Sequence, residues 1–289
     1  MAKKVGKTLG AMTEAQPGLE TEIMPKPRFD YVLDGKRGRL QDKTAVVSGG
    51  DSGIGRAVCV AFAAEGANVV ILFKEGAEEK DAARTRDFIK KKYRKTPLLV
   101  GGNLADEASC KATAKAVAEK YKRVDVLVNN AAVQFERDAL EEITSEQLRL
   151  TFETNIFSMF YLTQALLPMM KRGATIVNSA SITAFRGSDH LIDYASTKGA
   201  IVAFTRSLAT NLASKGIRVN GVAPGPVLTP LVYASFTKAH MKKFGKDTAL
   251  GRPAQPNEIA PAYVFLASDE SSYITGQFIH PNGGEIVNT

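Results

Sequence analysis

The chain has 289 residues, 44% hydrophobic and 24% charged, which is ordinary globular usage and excludes a wholly disordered, collagenous or fibrous protein. Its 38 Lys and Arg against 30 Asp and Glu leave a formal charge of +8, yet aromatics are only 8%, Trp is absent and the basic residues are spread widely. A nucleic-acid reader would cluster its bases with stacking aromatics, so no nucleic-acid partner is expected.

Residues 1–42 hold Pro17, Pro25 and Pro27 and show no sustained periodicity, so they read as an arm without a core of its own. Met24-Pro-Lys-Pro27 should be extended, because each residue before a proline is steered away from helix. From Lys43 a rhythm begins. Strands are expected at Thr44–Ser48, Asn68–Phe73, Pro97–Gly101, Val124–Val128, Thr175–Asn178, Ile217–Val222 and Gln277–His280. Helices are expected between them, including one long helix from about Ser145 to Lys171 and another from about Asp193 to Ser214. Strands alternating with helices mean βαβ crossovers, and short apolar strands without clean alternation mean helices on both faces. The predicted fold is therefore one doubly wound parallel α/β sheet of Rossmann type over residues 43–289, preceded by the arm.

No apolar run reaches the ~18 residues of a membrane-spanning helix. The nearest, Ile156–Met170, is interrupted by Ser158, Thr163, Gln164 and Pro168. No membrane contact is expected. No secretory pattern opens the chain, and the only cysteines are Cys59 and Cys110, so the expected compartment is the reducing cytoplasm. The basic run Lys90–Lys95 falls at the end of the second helix, where lysines complement the helix dipole, and reads as solvated.

Ser48-Gly49-Gly-Asp51-Ser52-Gly53-Ile54-Gly55 joins the first strand to the first helix. A dinucleotide pyrophosphate needs a tight turn, close backbone approach and a helix N-terminus, and glycines at this place supply all three. The end of the second strand meets the adenosine ribose. An acid there would select NAD, but this chain has Phe73 followed by Lys74, which favours NADP(H), with NAD as the alternative. Tyr194 and Lys198 stand at i and i+4, on one face of a helix. A nearby ammonium, helped by an oxidised nicotinamide, would favour the phenolate and lower a phenol pKa from its usual value near 10. Ser181 at the end of the fifth strand, Asn129-Asn130-Ala131-Ala132 at the end of the fourth, and Asn155 inside an apolar helix put further polar groups at the same sheet edge. His190, His240 and His280 are scattered without ligand spacing, so no metal site is expected.

Gly49-x-x-x-Gly53-Ile54-Gly55, Asn129-Asn130-Ala131, Asn155, Ser181, Tyr194-x-x-x-Lys198 and Pro224-Gly225-Pro226-Val227-x-Thr229 occur in one order over about residues 43–284. In this the chain resembles the classical short-chain dehydrogenase/reductases. Its wording at Gly49–Arg56, Leu191–Tyr194, Ala223–Pro226 and Ser272–Gly276, with the Met24–Pro27 arm, resembles the branch named glucose and ribitol dehydrogenase homologues. The resemblance implies that Tyr194 is the general acid/base and that Lys198 lowers its pKa and holds the nicotinamide ribose. It implies Ser181 on the substrate oxygen and Asn155 in a water relay to Lys198. Gly49, Asp51, Ser52, Gly53 and Ile54 would meet the phosphates, Phe73 and Lys74 the ribose end, and Asn103 and Leu104 the adenine. Asn130 and Ala131 would lie along the adenosine ribose, with Pro224, Gly225, Val227 and Thr229 at the nicotinamide. Ala132 stands where the family often has Gly, and Asn103 where it often has Asp.

The expected activity is hydride transfer between NADP(H), or alternatively NAD, and a carbonyl or secondary alcohol such as a sugar, polyol, ketone or aldehyde. The alternatives are a 3-oxoacyl-thioester reductase and a non-catalytic nucleotide sensor. Residues from about 228 to 250 resemble a substrate lid. The apolar helices Ile156–Met170 and Ala200–Leu212 suggest subunit contacts, and the resemblance implies a homo-oligomer, a dimer or tetramer.

Overall fold

A computed structural model describes Glu20, residues 25–27, Phe29 and residues 38–287. Met24 and most of the expected arm lie outside the described residues. The strands are β1 (Thr44–Ser48), β2 (Asn68–Phe73), β3 (Leu98–Gly101), β4 (Val124–Asn129), β5 (Met170–Ser179), β6 (Arg218–Val222) and β7 (Phe278–Ile279). They form a seven-stranded parallel sheet in the order β3-β2-β1-β4-β5-β6-β7. The chain runs outward from β1 to β3, then crosses back to place β4 on the other side of β1. The connections leaving β1 and β4 therefore diverge and open a crevice at their C-terminal ends.

Along β1, Val46 and Val47 point to opposite faces, as the strand period requires, and each enters a different core. Val47 packs with Val58 and Phe62 of α1 (Gly53–Ala64) and with Tyr263 and Val264 near the chain's end. Val46 packs with Leu127, Leu162, Leu166 and Leu212 on the other face. Helices α2 (Glu79–Tyr93) and α3 (Glu107–Lys120) complete the first half. Lys90, Lys91 and Lys92 occupy the last turn of α2, as expected.

The long helix expected from Ser145 to Lys171 is interrupted. It comprises α4 (Ser145–Phe152), a π-helical turn (Glu153–Phe157) and α5 (Ser158–Leu166). A 3-10 turn at Leu167–Met169 contains Pro168, which cannot donate to a helix, and β5 starts at Met170 rather than Thr175. The apolar run disguised this boundary, because Met170 is buried opposite Val124 at the start of a strand pair.

The second half adds α6 (Thr183–Arg186), α7 (Ile192–Leu212), α8 (Pro230–Ser235), α9 (Lys238–Met241) and α10 (Pro256–Ala267). Helices α8 and α9 lie in the segment expected to be a lid, and Leu228, Val232, Phe236 and Met241 pack with Leu191 and Tyr194. The described parts of the arm sit on α1 and α2. Phe29 meets Phe88 edge-on at 5.1 Å, under the Arg56 guanidinium at 4.9 Å. Among the described residues no helix is long and apolar enough to cross a membrane.

Candidate active site

The turn from β1 into α1 is built on missing side chains. Gly49 and Gly53 have φ of 62° and 53°, the left-handed region that glycine adopts freely. A Cβ on Gly55 would lie 1.9 Å from the Gly49 carbonyl oxygen, so only glycine allows this approach. Ser52 at the N-cap makes no side-chain cap bond, and the Ile54 and Gly55 N–H groups have no acceptor among the described residues. Such free donors at a helix N-terminus suit a phosphate. Ile54 lines a cavity of about 450 Å³. Gly49, Asp51, Ser52, Gly53, Ile54, Phe73, Lys74, Asn103, Leu104, Asn130, Ala131 and Thr229 all line it.

Two of these side chains are occupied locally. The Asn130 amide donates to the Ser48 and Gly49 carbonyls at 3.1 and 3.3 Å, and its oxygen accepts from the Ser179 hydroxyl at 3.2 Å. It thus ties the ends of β1, β4 and β5 together. The Asn103 oxygen accepts from the Ala105 N–H at 3.2 Å and caps its own turn.

The arm reaches this same turn. The Glu20 carboxylate, 3% exposed, accepts the Gly53 N–H at 2.7 Å and pairs with the Arg56 guanidinium. Its backbone N–H donates to Asp81. Burial pushes Glu20 up to about 6, against the pull of Arg56. Burial likewise pushes Asp51 up to about 6 and Glu78 up to about 7, the latter with a contribution from Asp51. Glu78 also lines the cavity and accepts the Lys74 N–H at 2.7 Å. Neither Glu20 nor Glu78 stood out in the sequence, since both are ordinary acids whose neighbours come from distant elements.

A second cavity of about 710 Å³ adjoins the first, sharing Ile54, Thr229 and Leu231. Ser181, Tyr194, Pro224, Gly225, Val227 and the lid residues Phe236 and His240 line it. The Ser181 hydroxyl accepts the Thr183 N–H at 3.2 Å. Lys198, 2% exposed, donates to the Ser179 carbonyl at 2.9 Å and lies 5.2 Å from the Tyr194 ring centre. Only one of its three donors has a partner among the described residues. Burial dominates both groups: it pushes Tyr194 up to about 12, partly offset by Ser181, and pulls Lys198 down to about 7. Burial disfavours the charged form of each group, the phenolate of Tyr194 and the ammonium of Lys198.

The scaffold holding Tyr194 combines Asn155 with residues that the sequence did not reveal, Asp193, Gln147, Thr151 and Thr197. Buried Asp193 accepts from Gln147 at 3.0 Å, from Thr151 at 2.9 Å and from the Tyr194 N–H at 2.8 Å, pinning the start of α7 to α4. Asn155, fully buried in the π turn, exchanges bonds with the Val133 backbone at 2.8 and 2.9 Å and donates to Thr197 at 3.1 Å. Thr197 donates in turn to the Tyr194 carbonyl. Asn155 therefore clamps the β4 exit loop to the Tyr194 helix, with both its N–H donors spent there.

The three histidines, scattered along the chain, are not equally apart in space. His190, from the loop before α7, and His240, on α9, converge with Glu136 of the loop after β4, with ligand atoms within 4.8 Å of one another. Spacing in the chain cannot report a meeting of three separate elements. His280 stands apart against Phe185.

Residues 49–285 match the family model described as enoyl-(acyl carrier protein) reductase. The chain belongs to the short-chain dehydrogenase/reductase family. It is thereby an oxidoreductase acting on CH–OH and C=O groups. It is 48% identical to the glucose and ribitol dehydrogenase of Daucus carota over 278 residues, covering 95% of this chain and 96% of the relative. The NADPH-dependent aldehyde reductase 1, chloroplastic, of Arabidopsis thaliana gives the same identity and coverage. Among solved structures, a short-chain dehydrogenase from Burkholderia cenocepacia J2315 in complex with NADP superposes with a TM-score of 0.79. That match is 29% identical and covers 86% of this chain and 99% of the neighbour.

Proposed function

We propose that the protein is an NADP(H)-dependent reductase and dehydrogenase for small polar carbonyls and alcohols, such as sugars, polyols and aldehydes. The observation that carries this reading is that Ser181 and Tyr194 line a cavity adjoining that of the glycine turn, with Lys198 buried beside the Tyr194 ring. The dinucleotide, when bound, supplies or accepts the hydride. Gly49, Gly53 and the Ile54 and Gly55 N–H groups would hold its pyrophosphate, and Lys74 its ribose phosphate. The spare donors of Lys198 would take the ribose next to the nicotinamide, with Val227 and Thr229 at the ring. The NADP and NADPH named for a solved neighbour and a relative support this choice over NAD.

In reduction, hydride adds to the carbonyl carbon and the Tyr194 phenol gives its proton to the oxygen. In oxidation both steps reverse. Ser181 donates a hydrogen bond to that same oxygen and keeps it beside Tyr194. A phenol held near 12 by burial is a competent proton donor, and Lys198 and the positive charge of an oxidised nicotinamide would favour phenolate for the reverse direction. Tyr194→Phe should abolish turnover while NADPH still quenches or shifts fluorescence as in wild type. Retained turnover would sink the mechanism.

The matched family model, described by an acyl-carrier-protein substrate, supports a second reading, a 3-oxoacyl-thioester reductase. A panel of sugars, aldehydes and 3-oxoacyl thioesters with NADPH separates the two. A sensor that keeps the fold without turnover is disfavoured by the complete Ser181, Tyr194 and Lys198 set. Exposed Leu148, Phe157 and Phe160 on α4, the π turn and α5 support self-association as a dimer or tetramer. The buried thiols of Cys59 and Cys110 support a reducing, cytoplasmic setting.

A further inference from the structure

At the mouth of the substrate cavity, Glu136, His190 and His240 each offer one ligand atom, all within 4.8 Å of one another. Each comes from a different element: the loop after β4, the loop before α7, and the lid helix α9. Two histidines and one carboxylate are a donor set for zinc-class divalent ions, with three protein ligands and a fourth position left open. Zinc bonds of about 2.0–2.2 Å bring ligand atoms to about 3.4 Å apart, a closure within reach of side-chain rotation from this starting geometry.

The surroundings supply what such a site needs beyond its ligands. The Asp189 carboxylate bonds Nδ1 of His190 at 2.7 Å, which orients the ring and leaves Nε2 as the lone-pair donor. Nδ1 of His240 already faces Glu136 Oε1 at 2.8 Å. The His240 ring is stacked on Phe236 at 4.1 Å and 15°, which fixes its plane. The two rings stand 5.3 Å apart. The Arg137 N–H donates to the His190 carbonyl at 3.0 Å and locks the two body loops together, so α9 is the element that has to come in.

We infer that Glu136, His190 and His240 bind one zinc-class divalent cation, which clips the lid helix α9 to the two body loops beside the substrate cavity. His190 and His240 line that cavity, so the open position is accessible to water or to a hydroxyl of a polyhydroxy substrate. The site is separate from Ser181, Tyr194 and Lys198.

The test uses the metal-stripped full chain without cofactor or substrate. Zinc sulfate alone is followed by calorimetry, and cobalt chloride alone by its visible d–d absorbance. Wild type should saturate at one ion per chain and show the intense cobalt bands of a four-coordinate site. His190→Ala and His240→Ala should each weaken zinc at least about tenfold, while His280→Ala should not. Zinc should also raise the melting temperature of wild type and not of these two variants. If either alanine variant misfolds, Glu136→Gln, which keeps an oxygen acceptor for His240, carries the comparison. Absence of saturable zinc binding, or binding that survives the loss of either histidine, would overturn the site. Neither result bears on the hydride chemistry, which stands or falls on Tyr194→Phe.

Discussion

Glu20 offers the sharpest test of how the arm and the phosphate turn are coupled. Glu20→Gln removes the charge but keeps an oxygen for the Gly53 N–H, so it mimics the protonated carboxyl. Burial carries the Glu20 pKa from 4.5 to about 6 in the fold, in spite of Arg56. At 1.36 kcal/mol per pH unit this is about 2 kcal/mol. For a carboxylate raised in this way, the stabilising contribution is complete below pH 4.5 and is lost as pH rises through 6. Glu20→Gln should therefore match wild type near pH 4.5 and exceed it by up to about 2 kcal/mol at pH 7.5. Glu20→Ala should lose about 1–3 kcal/mol at both pH values, because the Gly53 N–H and Arg56 lose a buried partner. Urea midpoints at the two pH values, with unchanged slope, measure both effects. The Gln variant should also bind NADPH more tightly, since one negative charge leaves the helix N-terminus. A Gln variant less stable than wild type at pH 7.5 would show that the Arg56 pair outweighs burial and would refute the reasoning.

Gly55→Ala sets a Cβ 1.9 Å from a backbone oxygen that no rotamer can relieve. It should cost about 1–3 kcal/mol by denaturation and lower NADPH affinity more than about tenfold, read by fluorescence titration. Burial holds Lys198 at about 7 instead of 10.5, so its contribution is full above pH 10.5 and is lost as pH falls through 7. Lys198→Met should then be inactive, yet more stable than wild type at pH 7, with an upper bound of about 4 kcal/mol. Lys74→Ala should narrow the preference for NADPH over NADH by about tenfold, through loss of a charged hydrogen bond. Unchanged dissociation constants for the two cofactors would remove Lys74 from the phosphate site.

The alternation of apolar strands and helices was legible as a parallel sheet because strands covered on both faces are buried throughout, as β1 and β4 are, and so are mostly apolar. The glycine turn was legible for a related reason: left-handed backbone and a 1.9 Å approach leave no residue but glycine at Gly49 and Gly55. Tyr194 and Lys198 were visible as an i, i+4 pair because a helix converts spacing directly into proximity. Chain order alone could not separate a buried helix from the strand that follows it across Pro168. Both are apolar, and the choice depends on what Val124 pairs with.

Local pattern thus determined most of the elements, the glycine turn and the Tyr194–Lys198 pairing, since each depends on the conformation of a few adjacent residues. Only the tertiary structure decided the electrostatics. Packing buried Tyr194 and Lys198 together, brought Glu20 of the arm onto the Gly53 N–H, and gathered Glu136, His190 and His240 from three elements. Desolvation and convergence depend on how distant segments pack against one another, and that packing is not encoded in the spacing of any one of them.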